Sequence, residues 1–205
     1  MTDVALRRLT GDGLEAALDD LARLRIAVFR DWPYLYDGDF DYERDYLATY
    51  TGSDKAVIIG AYDGERLIGA ATAAPLADHF AAFSAPFLKA GLTPERFFYF
   101  GESVLLKPYR GRGIGVRFFK AREAAARAAG FDRIVFCGVV RPEDHPARPD
   151  DYVPLDAFWR NRGYRPMDGI VCEFPWRDIG DTEQTNKTMQ FWIKALDGGA
   201  ASGGS

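Results

Sequence analysis

The sequence predicts a single domain of mixed α/β (α+β) class, in which strand-like and helix-like runs alternate along the chain. Three observations predict it. A hairpin signal joins residues 56–62 to 66–73 through the turn pair Asp63-Gly64. An apolar, strand-like run (96–106) passes through a glycine-rich octapeptide (108–115) directly into a helix-like run (116–129). A β-rich stretch (133–140) follows that helix and suits a central strand. At 205 residues the chain is long enough to bury one core and short for two.

In chain order, residues 4–9 read as a first strand. Thr10 or Asp12 can cap a helix whose apolar positions (Leu14, Leu18, Leu21, Leu24, Ile26, Val28) keep near-helical spacing to about residue 29. A second helix is expected over 39–50, then the hairpin, then a phenylalanine-rich helix over 76–90. The helix after the glycines should turn Ile114, Phe118, Ala121, Ala125 and Ala128 to the sheet, its alanines allowing a close approach. Gly130 stops it. After the 133–140 strand come a proline-rich loop (141–154), a short helix (155–162) ended by Gly163, and strands at 170–176 and 185–196. The domain is expected to span 1–197, with 198–205 a flexible polar tail. There is no internal repeat.

Composition narrows the function classes. A hydrophobic content of 47% with 27% charged residues is ordinary for a globular protein, and no apolar run approaches membrane-spanning length. The N-terminal residues lack the pattern of a signal peptide. Cys137 and Cys172 sit in apolar runs without metal-ligand spacing, which fits reduced core thiols. Together these point to a cytoplasmic protein without a metal or a membrane partner. The net charge of −4 argues against nucleic-acid binding. Yet Lys107, Arg110, Arg112, Arg117, Lys120 and Arg122 crowd into sixteen residues with no acid among them, a field suited to a compact polyanion. Lys120 and Arg122 are expected on a solvated helix face; Arg110 and Arg112, inside the loop, are the candidate ligands.

The loop itself, Pro-Tyr-Arg-Gly-Arg-Gly-Ile-Gly, places three alternating glycines at the start of a helix, where backbone N–H groups and the helix dipole favour a pyrophosphate. It is not a P-loop, lacking the lysine and hydroxyl. It is not the dinucleotide fingerprint, because Val116 and Phe118 stand where the last glycine is needed. It does match Arg/Gln-x-x-Gly-x-Gly/Ala at Arg110, Gly113 and Gly115. In this it resembles the acetyl-CoA loop of the GCN5-related N-acetyltransferase (GNAT) superfamily. Residues 105–108 resemble the end of that family's fourth strand, and the segment from Phe158 and Trp159 to Gly163 and Tyr164 resembles its Phe-Tyr-x-x-x-Gly-Phe helix end.

The resemblance implies a mixed, mostly antiparallel central sheet flanked by helices and splayed between strands four and five. It implies acetyl-CoA as cosubstrate, held by Arg110, Gly111, Arg112, Gly113, Ile114 and Gly115, with the backbone of Val104, Leu105 and Leu106 pairing with the pantetheine arm. It further implies a primary amine acceptor on a small molecule or peptide. A monomer or homodimer is expected.

Glu102 is the candidate general base. It is the one acid in the run 96–106 and, barring a bulge, shares a strand face with Val104 and Leu106. The plainer alternative is a carboxylate paired with an arginine. A backbone N–H near Leu105 or Leu106 would hold the oxyanion. The family's usual tyrosine acid is replaced by Trp159, whose indole has no titrating proton. Tyr152 and Tyr164 are the possible substitutes, Tyr164 being better suited to core packing. The family's asparagine after the fifth strand is also not evident. Residues 31–46 interleave six acids with six aromatics, a pattern suited either to an amine pocket or to a lid with its acids in water. Two other classes stay open: a non-catalytic acyl-CoA-binding module, which Trp159 favours, and an interaction protein docking through its aromatic-rich N-terminal third.

Overall fold

A computed structural model describes residues 3–196. One seven-stranded sheet runs through it in the order β1-β2-β3-β4-β5-β7-β6. The strands are β1 (Ala5–Leu9), β2 (Val57–Asp63), β3 (Arg66–Pro75), β4 (Phe98–Leu105), β5 (Arg133–Val139), β6 (Arg165–Trp176) and β7 (Thr185–Ala195). The helices are α1 (Gly11–Phe29), α2 (Phe40–Ala48), α3 (Ala81–Lys89), α4 (Ile114–Ala128) and α5 (Asp156–Arg160). Every neighbouring pair is antiparallel except β4 and β5. The expected tail lies outside the described residues. Among the described residues no helix is long and apolar enough to cross a membrane.

The sheet is covered on both faces. On one, Leu14, Leu18 and Leu21 of α1 pack on Ile58, Ala70 and Val104. Beside them α3 seals the same face, with Phe83 and Phe87 against Tyr99, Val135 and Phe191. On the other, Ile114, Phe118 and Phe119 of α4 pack on Ile59, Ala71, Phe98 and Phe100. Burying such side chains stabilises by roughly 1.5–3 kcal/mol each.

Three departures from the sequence pattern matter for the site. Residues 76–90 do not form one helix: a 3₁₀ turn (Leu76–Asp78) and α3 are parted at His79 and Phe80, whose backbones are extended, and this turns the His79 ring inward. α4 turns Ile114, Phe118, Ala121 and Ala125 to the sheet as expected, but its buried stripe also takes in Phe119, Arg122 and Ala126, and Ala128 is exposed. The parallel pairing of β4 and β5 covers only Phe98↔Ile134 and Tyr99↔Val135, after which the strands part.

Candidate active site

The splay begins where β4 carries an extra residue. β3 pairs Ala73 with Phe100 and Ala71 with Ser103, so Thr72 alone opposes both Gly101 and Glu102. The bulge shifts the alternation of side chains. Phe98 and Phe100 face α4, whereas Glu102 and Val104, of the same parity, face α1. Only glycine fits at 101: a Cβ there would lie 2.4 Å from Thr72 Oγ1 and 2.6 Å from Tyr50 Oη. The Glu102 N–H donates to Thr72 Oγ1 (3.2 Å).

Arg122 fixes the bulge from behind. Its guanidinium donates to Thr72 O (3.1 Å), Glu102 O (3.2 Å) and Ser103 Oγ (2.6 Å), and is sandwiched by the Phe100 and Phe119 rings. The expected solvated face is therefore corrected at this position. Arg122 is 1% exposed because the bulge turns carbonyls toward α4 that nothing in the sheet can satisfy. Burial lowers its pKa to about 10, which leaves it charged at neutral pH.

In front of the bulge lies a cavity of about 640 Å³, lined from β4 by Gly101 and Glu102, from β5 by Cys137, and beyond them by α1, α2, α3 and the β6–β7 end. At its floor Arg25 forms ion pairs with Glu43 and Glu102, and all three are under a tenth exposed. The Phe29 and Tyr46 rings stack on the Arg25 guanidinium at 5.0 and 4.3 Å. Burial works against the Arg25 charge, but the fields of Glu102, Tyr46 and Glu43 outweigh it and raise its pKa. The contact of Arg25 Nη1 with Glu102 Oε1 is an ion pair without hydrogen-bond alignment.

Donor counting sets the direction of the hydrogen bonds that reach Glu102. His79 Nδ1 accepts from the Phe80 N–H (3.0 Å), so the proton of the neutral ring sits on Nε2 and is donated to Tyr50 Oη (3.1 Å). Thr72 Oγ1 also donates to Tyr50 (3.0 Å). Tyr50 therefore gives its own proton to Tyr46 (3.3 Å), and Tyr46 gives its proton to Glu102 Oε2 (3.3 Å). Burial lowers the His79 pKa to about 4, keeping the ring neutral, and burial followed by the Glu102 field raises both phenols.

The 31–46 segment forms one wall of the cavity, including Tyr34, Tyr36, Asp37, Asp39, Tyr42 and Tyr46. It is fastened to the β6 end by Arg141, which grips Asp178 through both nitrogens (2.7 and 2.9 Å) and donates to Pro33 O and Tyr34 O. Asp37 pairs with Arg177 at 2.7 Å and Arg30 at 3.6 Å, while Asp39 caps α2 through the Tyr42 N–H (2.9 Å).

On the other side of the splay the glycine loop leads into α4. Gly111 and Gly113 both have φ of +77°, which side-chain-bearing residues rarely adopt. Gly115, already helical, has ordinary room for a Cβ against Phe158. No side chain caps α4, whose hydrogen bonds begin with Arg117 N to Gly113 O (3.1 Å), so the amides of Ile114, Gly115 and Val116 precede the first helical bond. Arg110 folds back, donating from Nε to Leu105 O (3.0 Å) and pairing with Asp31, and Arg112 lies over the Tyr109 ring. The Leu106 N–H donates to Ile68 O (3.0 Å); by antiparallel alternation the Leu105 N–H points the opposite way, into the splay.

Trp159 packs its indole on Gly138, where a Cβ would come within 2.9 Å, and against Phe136 and Trp192. Tyr164 is a core residue, its hydroxyl donating to Glu123 Oε1 at 2.9 Å, and Tyr152 meets Trp32 edge-on. Neither tyrosine lines the cavity.

A model of the acetyltransferase (GNAT) family matches residues 20–149, more than half of the chain. The chain belongs to this family. No curated protein sequence matches it. Among solved structures this GNAT chain is similar to a ribosomal-protein-alanine N-acetyltransferase from Brucella melitensis (15% identity, TM-score 0.61, covering 94% of this chain and 99% of that one). It is similar to yncA from Salmonella typhimurium, solved with its cofactor acetyl-CoA (11%, TM-score 0.61, all of both chains). It is also similar to an aminoglycoside 6'-acetyltransferase type Ii (15%, TM-score 0.58, 93% and 96%). At these identities the likeness concerns the fold.

Proposed function

We propose that this protein is an acetyl-CoA-dependent N-acetyltransferase that moves the acetyl group directly to a primary amine on a small molecule or peptide. One observation carries the reading: a buried carboxylate, Glu102, is turned by a bulge into an aromatic cavity at the point where β4 and β5 part. The amides of residues 111–115 receive the pyrophosphate at the uncapped start of α4, with Arg112 nearby. The pantetheine arm runs along the backbone of Val104, Leu105 and Leu106 at the splayed edge of β4, where it would take the place of Arg110 at Leu105 O.

Glu102 removes one proton from the incoming ammonium, whose ordinary pKa is near 10.4. The freed amine attacks the thioester carbonyl carbon, and the Leu105 N–H holds the oxygen as it gains charge. The C–S bond then breaks, the second amine proton leaves with the sulfur, and the proton on Glu102 returns to solvent. No protein acid is assigned to the sulfur. The reduced thiols Cys137 and Cys172, both buried, agree with a cytoplasmic setting.

Trp159 favours a second reading, a module that binds acyl-CoA without turnover, since an indole packed on Gly138 stands in the place of the usual acid. Calorimetric titration with acetyl-CoA, followed by thiol release over a panel of amines, separates the two. Binding with turnover is expected. Binding with no turnover on any amine supports the second reading, and no binding removes both.

A further inference from the structure

The two carboxylates on the floor of the cavity share one ion-pair partner. Glu43 and Glu102 both pair with the guanidinium of Arg25, and all three are buried, while the buried cation behind the bulge, Arg122, meets Glu102 only at its backbone carbonyl. The neighbouring carboxylate at the mouth, Asp37, already has Arg177 and Arg30. Glu102 Oε1 makes no aligned hydrogen bond and belongs to a residue that lines the cavity. A single ammonium placed there would give the second carboxylate an ion-pair partner of its own and find a buried acceptor at the same atom.

Above this floor the walls are rings. Phe83 and Phe174 lie 5.2 Å apart with their planes 28° from parallel, and Tyr99 tilts against Phe83 at 5.2 Å. Tyr34 and Trp176 close the far side, 6.0 Å apart. Ring faces and edges at these separations favour a further flat ring over a flexible chain of equal volume. The size, about 640 Å³, suits a small molecule and is too small for a folded polypeptide segment.

We propose that the acceptor is an amine monocation carrying a flat aromatic body, its ammonium at Glu102 and its ring against the sides of Phe83, Phe174 and Trp176 that line the cavity. This rests on the acetyltransferase reading above and narrows it to a substrate class. It sets the protein against polyamines, whose further charges would meet aromatic walls, and against simple alkylamines, which would leave the ring faces poorly covered.

The test compares kcat/KM at saturating acetyl-CoA for phenethylamine, hexylamine and spermidine, with phenethyl alcohol as a neutral competitor. Phenethylamine should exceed hexylamine by about tenfold, the size of a good ring contact, and spermidine by more. Phe174→Leu should reduce the preference over hexylamine to about threefold or less. Glu43→Gln keeps shape and leaves Arg25 with one partner. It should raise KM for phenethylamine about tenfold, while inhibition by phenethyl alcohol is unchanged. If hexylamine or spermidine is the better substrate, or Glu43→Gln leaves KM as it was, the substrate class is wrong and the acetyltransferase reading stands. If no amine turns over, both fall.

Discussion

The glycine loop and the aromatic cavity, which we propose as the donor and acceptor sites, lie on either side of the same splay and are built on opposite principles. The loop is local: eight consecutive residues, two of them glycines held at positive φ, present backbone amides at the start of a helix. Side chains contribute little to it, and Arg110 is partly engaged with Leu105 O and Asp31. The cavity floor draws Arg25 from α1, Glu43 and Tyr46 from α2 and Glu102 from β4, backed by Tyr50, Thr72 and His79, and it is built from buried side-chain charge and hydrogen-bond direction. A backbone site tolerates wide sequence change provided the conformation survives. A side-chain site does not. The loop can therefore serve one constant ligand while the cavity is tuned to its own.

If the division is real, damage should stay on its own side. Gly113→Val should produce the largest effect, weakening acetyl-CoA binding about a hundredfold or more, because a β-branched residue strongly resists positive φ. Gly113→Asn, which tolerates that conformation, should lose under about tenfold. Calorimetry on both variants separates conformation from mere bulk, and equal losses would contradict the backbone account. Arg122→Met should destabilise by about 2–3 kcal/mol, since the carbonyls of Thr72 and Glu102 lose their donor. It should also lower kcat more than it weakens acetyl-CoA binding; denaturant titration and steady-state kinetics read the two effects.

The next effect is set by pH. The unfolded His79 titrates near 6.5 and the folded ring near 4, so between those values the unfolded chain binds more protons. The stability that neutral His79 contributes is thus complete above about pH 6.5 and drains away as pH falls toward 4. Between pH 7 and pH 5 the loss should be about 2 kcal/mol, and a His79→Gln variant should show a flatter profile over that range. The smallest effect belongs to the rim. Asp37→Asn should raise the acceptor KM by about threefold at most, because Asp37 is partly exposed and already paired with two arginines.

Legibility in the sequence follows the same division. The loop's conformation could be read because its glycines are close together in sequence, and the strand and helix on either side fix its place. Glu102 stood out as the one acid in an apolar strand. Its partner Arg25 is hidden among the apolar positions of α1, although a charge four residues beyond Leu21 on the apolar stripe is an available signal. The bulge left one trace, the Gly101 that only close approach explains. Arg122 looked like one more cation in a basic helix. What it satisfies is a pair of carbonyls created by the pairing of β3 and β4, which no local pattern encodes. His79 was unreadable for a related reason: the break between the 3₁₀ turn and α3 that turns its ring inward falls within a stretch of helical periodicity.

On the proposed mechanism Glu102 acts on the amine and leaves acetyl-CoA binding untouched. Thiol release and acetyl-CoA affinity measured together in Glu102→Gln separate the two roles. We expect kcat/KM lower by about 10²–10⁴-fold, the usual contribution of a general base, with the dissociation constant for acetyl-CoA within about twofold of the parent protein. Turnover retained within about threefold would contradict it and leave Glu102 as the partner of Arg25 and no more.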